Sequence, residues 1–200
     1  MQRSLVGSEM CIRDSSYGVQ ADVGKFDFNE LVERREKYID FLHGAYYRGL
    51  DSNNVERIEG YATFKSDHVV SVNGEEYTAS NVLIATGGRP SQMEIPGGEY
   101  AIDSNGFFEM TEQPKEVVVL GAGYIAAELS GVLQGMGTQV YWAFRHSRPL
   151  RTFDKMLADN LVDIYRDNKM KLYDHHVAKE IKKNEDETYT VYFELSLIHI

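Results

Sequence analysis

The sequence has a single cysteine, Cys11, in 200 residues, so it carries no pair of thiols for redox work and no disulfide of its own. It has no excess of positive charge. The 21 Lys and Arg stand against 31 Asp and Glu, a net charge of −10, which disfavours partners such as nucleic acid or anionic membrane that require a basic surface. No apolar run approaches the roughly 20 residues that cross a bilayer, and the first residues lack a basic-then-apolar secretory pattern. Internal repeats and low-complexity tracts are missing. The six histidines (His43, His68, His146, His175, His176 and His199) show no metal-type spacing with Cys or acidic partners, so no metal is expected. What is present, 42% apolar and 26% charged residues, is the make-up of a globular protein. The expectation is a soluble, cytoplasmic chain with neither nucleic acid nor membrane as partner.

The two ends read as foreign. Glu9 to Ser15 (EMCIRDS) can be encoded by GAG ATG TGT ATA AGA GAC AGx, and Leu195 to Ile200 (LSLIHI) by CTG TCT CTT ATA CAC ATC. These strings are reverse complements where they overlap, and they resemble the transposon end used as a sequencing adapter. Residues 1–15 and 195–200 are therefore set aside as adapter-like, which takes Cys11 out of the chemistry. Arg3, Arg13, Glu9 and Asp14 leave with them, so the charge stays at 19 − 29 = −10.

Between the ends, Asp27 and Glu30 have capping-box spacing. Apolar residues from Phe28 to Tyr46 recur at helical intervals, predicting an amphipathic helix that ends near Gly49. Strand-like segments follow at Val55–Ile58, Tyr61–Phe64, Val69–Val72 and Glu76–Thr78, with Asn73-Gly74 as a hairpin signal. Val82–Ala85 has the continuous apolar character of a strand buried on both faces. Three of the four prolines, Pro90, Pro96 and Pro114, lie between Arg89 and Pro114, a stretch read as an irregular connector. Then comes an α/β alternation: strand Val117–Leu120, helix Tyr124–Gln134, strand Gln139–Phe144, helix Asp154–Asn168, and strands at Lys171–Tyr173 and Tyr189–Phe193. Such alternation implies a parallel sheet with helical crossovers.

Gly121-Ala122-Gly123-Tyr124-Ile125-Ala126 stands where a strand gives way to a helix, the context in which a glycine pattern gains meaning. Gly121 permits a sharp turn, and Gly123 presents no side chain to a pyrophosphate approaching the positive end of the helix. Ala126, in the third position, adds one methyl between helix and strand. A site for NADH places a carboxylate about 20 residues further on to hold the ribose hydroxyls. That position falls near Phe144, and no carboxylate follows before Asp154. Arg145, His146, Arg148 and Arg151 stand there instead. Guanidinium groups pair bidentately with phosphate oxygens, so this cluster suits the 2′-phosphate of NADPH.

With these residues in hand, the chain resembles the flavin-dependent pyridine nucleotide–disulfide oxidoreductases, and among them the glutathione reductases most closely. The matching stretches are NVLIATGGRPSQMEIPGGEYAIDSNGFF, VVVLGAGYIAAELSGVL and FRHSRPLRTFD, and the likeness runs from Tyr17-Gly18 onward. The resemblance implies parts of two three-layer nucleotide-binding domains. An FAD-binding remnant would span residues 16–110, and a Rossmann-like NADPH-binding part residues 111–194. It implies that Thr86 and Gly87 lie where a strand closes on the flavin nucleotide, with Ala62 near its adenine. Ala122, Ile125 and Glu128 would line the NADPH channel, Tyr124 would cover the flavin, and Arg145 with Arg151 would hold the 2′-phosphate. Tyr46 matches a tyrosine over the disulfide substrate, glutathione disulfide, and the parent protein would be a homodimer.

The departures weigh as much. The family's FAD glycine fingerprint, its redox cysteines and its catalytic histidine have no counterpart in the sequence, so no catalytic residue is expected and the chain is read as an interior fragment. Other readings stay open. Trypanothione reductase is a near relative in chemistry, whereas the missing acid at Phe144 disfavours dihydrolipoamide dehydrogenase. A non-catalytic NADPH-binding module is the reading from outside the enzyme class.

Overall fold

The computed structural model describes residues 26–195. Cys11, the adapter-like stretch at 1–15, the start of the resemblance at Tyr17-Gly18 and residues 196–200 lie outside that range, while Leu195 is the final residue of the last strand.

Helix α1 (Phe28–Ser52) begins because Asp27 turns its carboxylate onto the amides of Asn29, at 2.9 Å, and Glu30, at 3.2 Å. The reciprocal half of a capping box is not formed, since Glu30 pairs with Arg34 one turn on. That exposed pair and the one between Lys37 and Glu33 add only a few tenths of a kcal/mol each. The helix runs three residues past Gly49. No residue of α1 is buried; Tyr38, Phe41 and Tyr46 on its apolar side are exposed.

Strands β1 (Thr63–Ser66), β2 (Val69–Val72) and β3 (Glu75–Thr78) form an antiparallel meander in the order β1-β2-β3. Asn73 and Gly74 both take positive φ, 53° and 88°, and Val72 pairs with Glu75 across them, the two-residue loop that Asn-Gly favours. Two strand expectations fail. Val55–Ile58 is irregular, and so is Val82–Ala85, where Leu83 is 89% exposed. An apolar run becomes a buried strand only when neighbours hydrogen-bond both its edges and layers cover both faces. No described strand lies beside it.

The connector is less irregular than its prolines suggest. A 3-10 turn (Gly98–Tyr100) and a short helix α2 (Ser104–Glu109), capped by Asp103, interrupt it. Gln113 and Thr138 fasten its end: the Thr138 hydroxyl donates to the Pro114 carbonyl at 2.7 Å, and the Gln113 amide donates to Met136 O at 2.8 Å.

The rest builds around a parallel sheet in the order β4-β5-β6, comprising β4 (Glu116–Leu120), β5 (Gln139–Ala143) and β6 (Lys171–Tyr173). Helices α3 (Tyr124–Gly135) and α4 (Lys155–Asp167) supply the crossovers. Ala127 and Leu133 of α3 meet Val140, Trp142, Phe144 and Met170 in a buried cluster, with Val117, Val119, Leu161 and Tyr165 packed against it. The α/β expectation holds here element by element. A hairpin of β7 (His176–Lys183) and β8 (Tyr189–Leu195) follows. Its first strand is not anticipated from sequence, because a register shift between Ala178 and Glu180 breaks the period-two alternation.

Candidate functional site

In the register of β4 and β5, Leu120 lies opposite Ala143, so both strands end at the same edge of the sheet. The loops leaving those ends are therefore neighbours, the place where open α/β sheets hold ligands. Gly121 continues the ladder by donating its amide to Ala143 O at 3.0 Å, and it takes φ +124°, which a side chain would strain. The indole of Trp142, fully buried, donates to the Gly121 carbonyl at 2.7 Å and fixes the turn from beneath. A Cβ at Gly121 would sit 4.0 Å from that of Ala126. Ala126 itself packs against the buried cluster between helix and sheet.

Gly123 is the N-cap of α3 and offers no side-chain cap. The first amides of a helix have no intrahelical acceptor, and among the described residues no side chain caps them. A Cβ on Gly123 would meet no protein atom within 4 Å. Internal packing therefore does not require glycine at this position; the space above it is open to an outside group. Negative charge set there is favoured by the helix dipole.

The basic loop is tied to this turn. Leu150, at φ +53°, donates its amide to Ala122 O at 2.8 Å, and Pro149 between the arginines is buried. Arg151 Nη1 lies 2.7 Å and Arg145 Nη2 3.5 Å from His146 Nε2, so the two guanidiniums converge on one imidazole. Both arginines are exposed, and among the described residues neither they nor Arg148 has an acidic partner. One Arg148 nitrogen is buried with no hydrogen-bond partner. Partial burial first, then the charges of Arg151, Arg145 and His175, hold the His146 pKa below its ordinary value.

Other residues singled out in the sequence fall in two groups. Tyr124, Ile125 and Glu128 are exposed on the first turns of α3, beside Gly123. Tyr165 secures this helix: its hydroxyl, kept protonated by burial and then by the Glu128 charge, donates to Ala127 O at 2.8 Å. Ala62, Thr86 and Gly87 are exposed and lie outside any strand. Tyr46 is 70% exposed on α1, and no hydrogen bond or ring contact joins it to the glycine turn. Sequence reasoning missed Trp142 and Leu150 as supports of the turn. A lone tryptophan inside the strand next to the fingerprint was the one available signal.

The site is an open shelf. The cleft of about 320 Å³ lined by Val118, Tyr141, Ala143, Tyr173, His176 and Phe193 lies between the sheet and the β7–β8 hairpin and includes none of the glycine-turn or arginine residues. Among the described residues, no group of three His, Cys, Asp or Glu side chains is placed to hold a metal, and no helix is long and apolar enough to cross a membrane.

A family model described as pyridine nucleotide-disulphide oxidoreductase matches residues 7–196. A glutathione reductase of Schizosaccharomyces pombe is 40% identical over 153 residues, covering 73% of this chain and 33% of the relative. One from Yarrowia lipolytica is 38% identical over 178 residues, 84% of this chain and 38% of the relative. Among solved structures, the HOCl-induced flavoprotein disulfide reductase RclA from Escherichia coli aligns with a TM-score of 0.77 at 25% identity, covering 93% of this chain and 42% of that one. The chain thus spans between 33% and 38% of the length of these curated relatives.

Proposed function

The chain belongs to the pyridine nucleotide-disulphide oxidoreductase family, and on that premise we propose that it is the interior of an NADPH-dependent flavoprotein disulfide reductase whose substrate is glutathione disulfide. The observation that carries this reading is the pair Arg145 and Arg151, without a carboxylate partner among the described residues and held beside the glycine turn by the Leu150–Ala122 hydrogen bond. Gly121, Ala122 and Gly123 would receive the pyrophosphate, with the amides of the α3 N-terminus donating to it. Arg145 and Arg151, with His146, would hold the 2′-phosphate. Ala126 closes helix on strand, and Tyr124, Ile125 and Glu128 stand where a nicotinamide would pass. NADPH supplies a hydride when bound; the residues present bind and orient it. The whole protein would be a homodimer that oxidises NADPH and reduces glutathione disulfide, with FAD as the relay and Tyr46 near the disulfide. The glutathione reductases among its relatives support that substrate.

Two measurements test this. Titrating the chain with NADPH and NADH, followed by nicotinamide fluorescence, should give at least about tenfold tighter binding of NADPH, as one extra charge-assisted contact implies. Equal or weaker binding of NADPH would remove the reading. In the full-length protein, glutathione disulfide should drive NADPH oxidation faster than trypanothione disulfide, and the reverse order would reassign the substrate.

Gly123→Val offers a cleaner probe of the turn. The backbone at Gly123 is extended, at φ −83° and ψ 172°, which valine adopts freely, so thermal stability should change by no more than about 1 kcal/mol. Affinity for NADPH and NADH should fall together, because the added methyls occupy the space above the helix amides. Unimpaired binding of both would place the pyrophosphate elsewhere.

A further inference from the structure

The basic cluster contains one imidazole, and it sits between two guanidinium groups. His146 Nε2 receives Arg151 Nη1 at 2.7 Å and faces Arg145 Nη2 at 3.5 Å. A guanidinium only donates, so this nitrogen accepts and the imidazole is neutral in the free chain. Among the described residues, the charges that act on it are those of Arg151 and Arg145 on its own loop and of His175 from the turn between β6 and β7, whose amide approaches His146 O at 3.4 Å, and all three disfavour its protonation. No carboxylate pairs with either arginine among the described residues.

We infer that His146 takes up a proton when a dianionic phosphate monoester seats between Arg145 and Arg151, making it the residue through which this site reads ligand charge as well as shape. The inference rests on the NADPH reading above and extends it. An arriving dianion draws the guanidinium N–H groups away from Nε2 and reverses the sign of the local field. A protonated Nε2 then becomes a third donor to the phosphate. Without the dianion, two cations and partial burial keep the proton off. The resting cluster is therefore closed on itself, with the imidazole occupying donors that would otherwise have no partner.

The sign of the linkage follows. A group that binds its proton more tightly in the complex than in the free chain makes affinity fall as pH rises between its two pKa values. A phosphate monoester loses its second proton near pH ~6, so above about pH 6.5 the ligand stays dianionic and any remaining dependence belongs to the protein. Arginine does not titrate there.

The test uses adenosine 2′,5′-bisphosphate and adenosine 5′-monophosphate, which differ in the 2′-phosphate alone. Calorimetry in two buffers of different ionisation heat counts protons taken up. Between about pH 6.5 and 8 the affinity for the bisphosphate should fall by several-fold, approaching tenfold per unit, with uptake approaching one proton, while the monophosphate shows neither. His146→Gln should bind the bisphosphate more weakly, through the arginines alone, and lose the slope and the uptake. Binding of the bisphosphate without proton uptake, or uptake that persists in H146Q, overturns the inference and leaves the NADPH reading standing. If neither nucleotide binds at any pH, the NADPH reading fails and this inference with it. An NMR titration of the His146 ring in the free chain, assigned by its loss in H146Q, separates the cases. A midpoint at or above the ordinary 6.5 overturns the inference whatever the nucleotides do.

Discussion

Replacing Arg145 and Arg151 together by glutamine should weaken NADPH binding by about a hundredfold or more and change NADH binding by less than about threefold. Each charge-assisted contact to a phosphate contributes about 1.5–3 kcal/mol, and 1.4 kcal/mol is tenfold, so losing two carries the effect well past a factor of one hundred. NADH lacks the 2′-phosphate and would be held by the turn alone. Both side chains are exposed and make no ion pair among the described residues, so the fold should tolerate the double change. Parallel fluorescence titrations with the two nucleotides check the result. Equal losses would mean that the arginines act on something both molecules share, and the phosphate assignment would be withdrawn.

The second large effect is structural. Trp142→Ala should destabilise the β4–β6 unit by about 3–5 kcal/mol, the range for removing a fully buried aromatic side chain. Trp142 is 0% exposed, meets Phe144 at a ring distance of 5.3 Å and Tyr165 at 5.8 Å, and donates to Gly121 O. Against a typical domain stability of about 5–15 kcal/mol, such a loss consumes much of what holds the unit folded. Trp142→Phe isolates the hydrogen bond. It keeps most of the volume and leaves the Gly121 carbonyl without its donor, at a cost of about 1–3 kcal/mol. Urea denaturation followed by circular dichroism reads both. If Trp142→Phe proves as damaging as Trp142→Ala, the hydrogen bond outweighs the packing at this position.

The elements legible in the sequence are those whose signal is local. β4, α3, β5 and α4 are short apolar runs and amphipathic helices punctuated by Gly121, Gly123, Asp154 and Asn168, and the structure sets their bounds within a residue or two of the sequence reading. Asn73-Gly74 is equally local. Val82–Ala85 failed because pairing is a property of neighbours, and its apolar pattern says nothing about which strands flank it. β7 was hidden by its bulge and by Lys179, Glu180, Lys182 and Lys183, which read as a solvated loop. The short helix α2 has six residues, too few for helical periodicity to show. At the site, residue types were readable from composition along the loop. The convergence of two arginines on His146, and the amide of Leu150 that clamps the loop to Ala122, depend on how the chain folds back and left no trace in the order of residues.

The chain contains one tryptophan, and its indole N–H reaches the carbonyl of the first glycine in the fingerprint. The protein is thus equipped with a native optical reporter. Excited selectively, that ring lights up from the spot where the strand bends toward α3, with no competing emitter of its kind. Reduced nicotinamides absorb where indoles emit, so a docked reduced dinucleotide would dim this light by energy transfer and brighten its own. Occupancy could be followed in untagged, unlabelled protein.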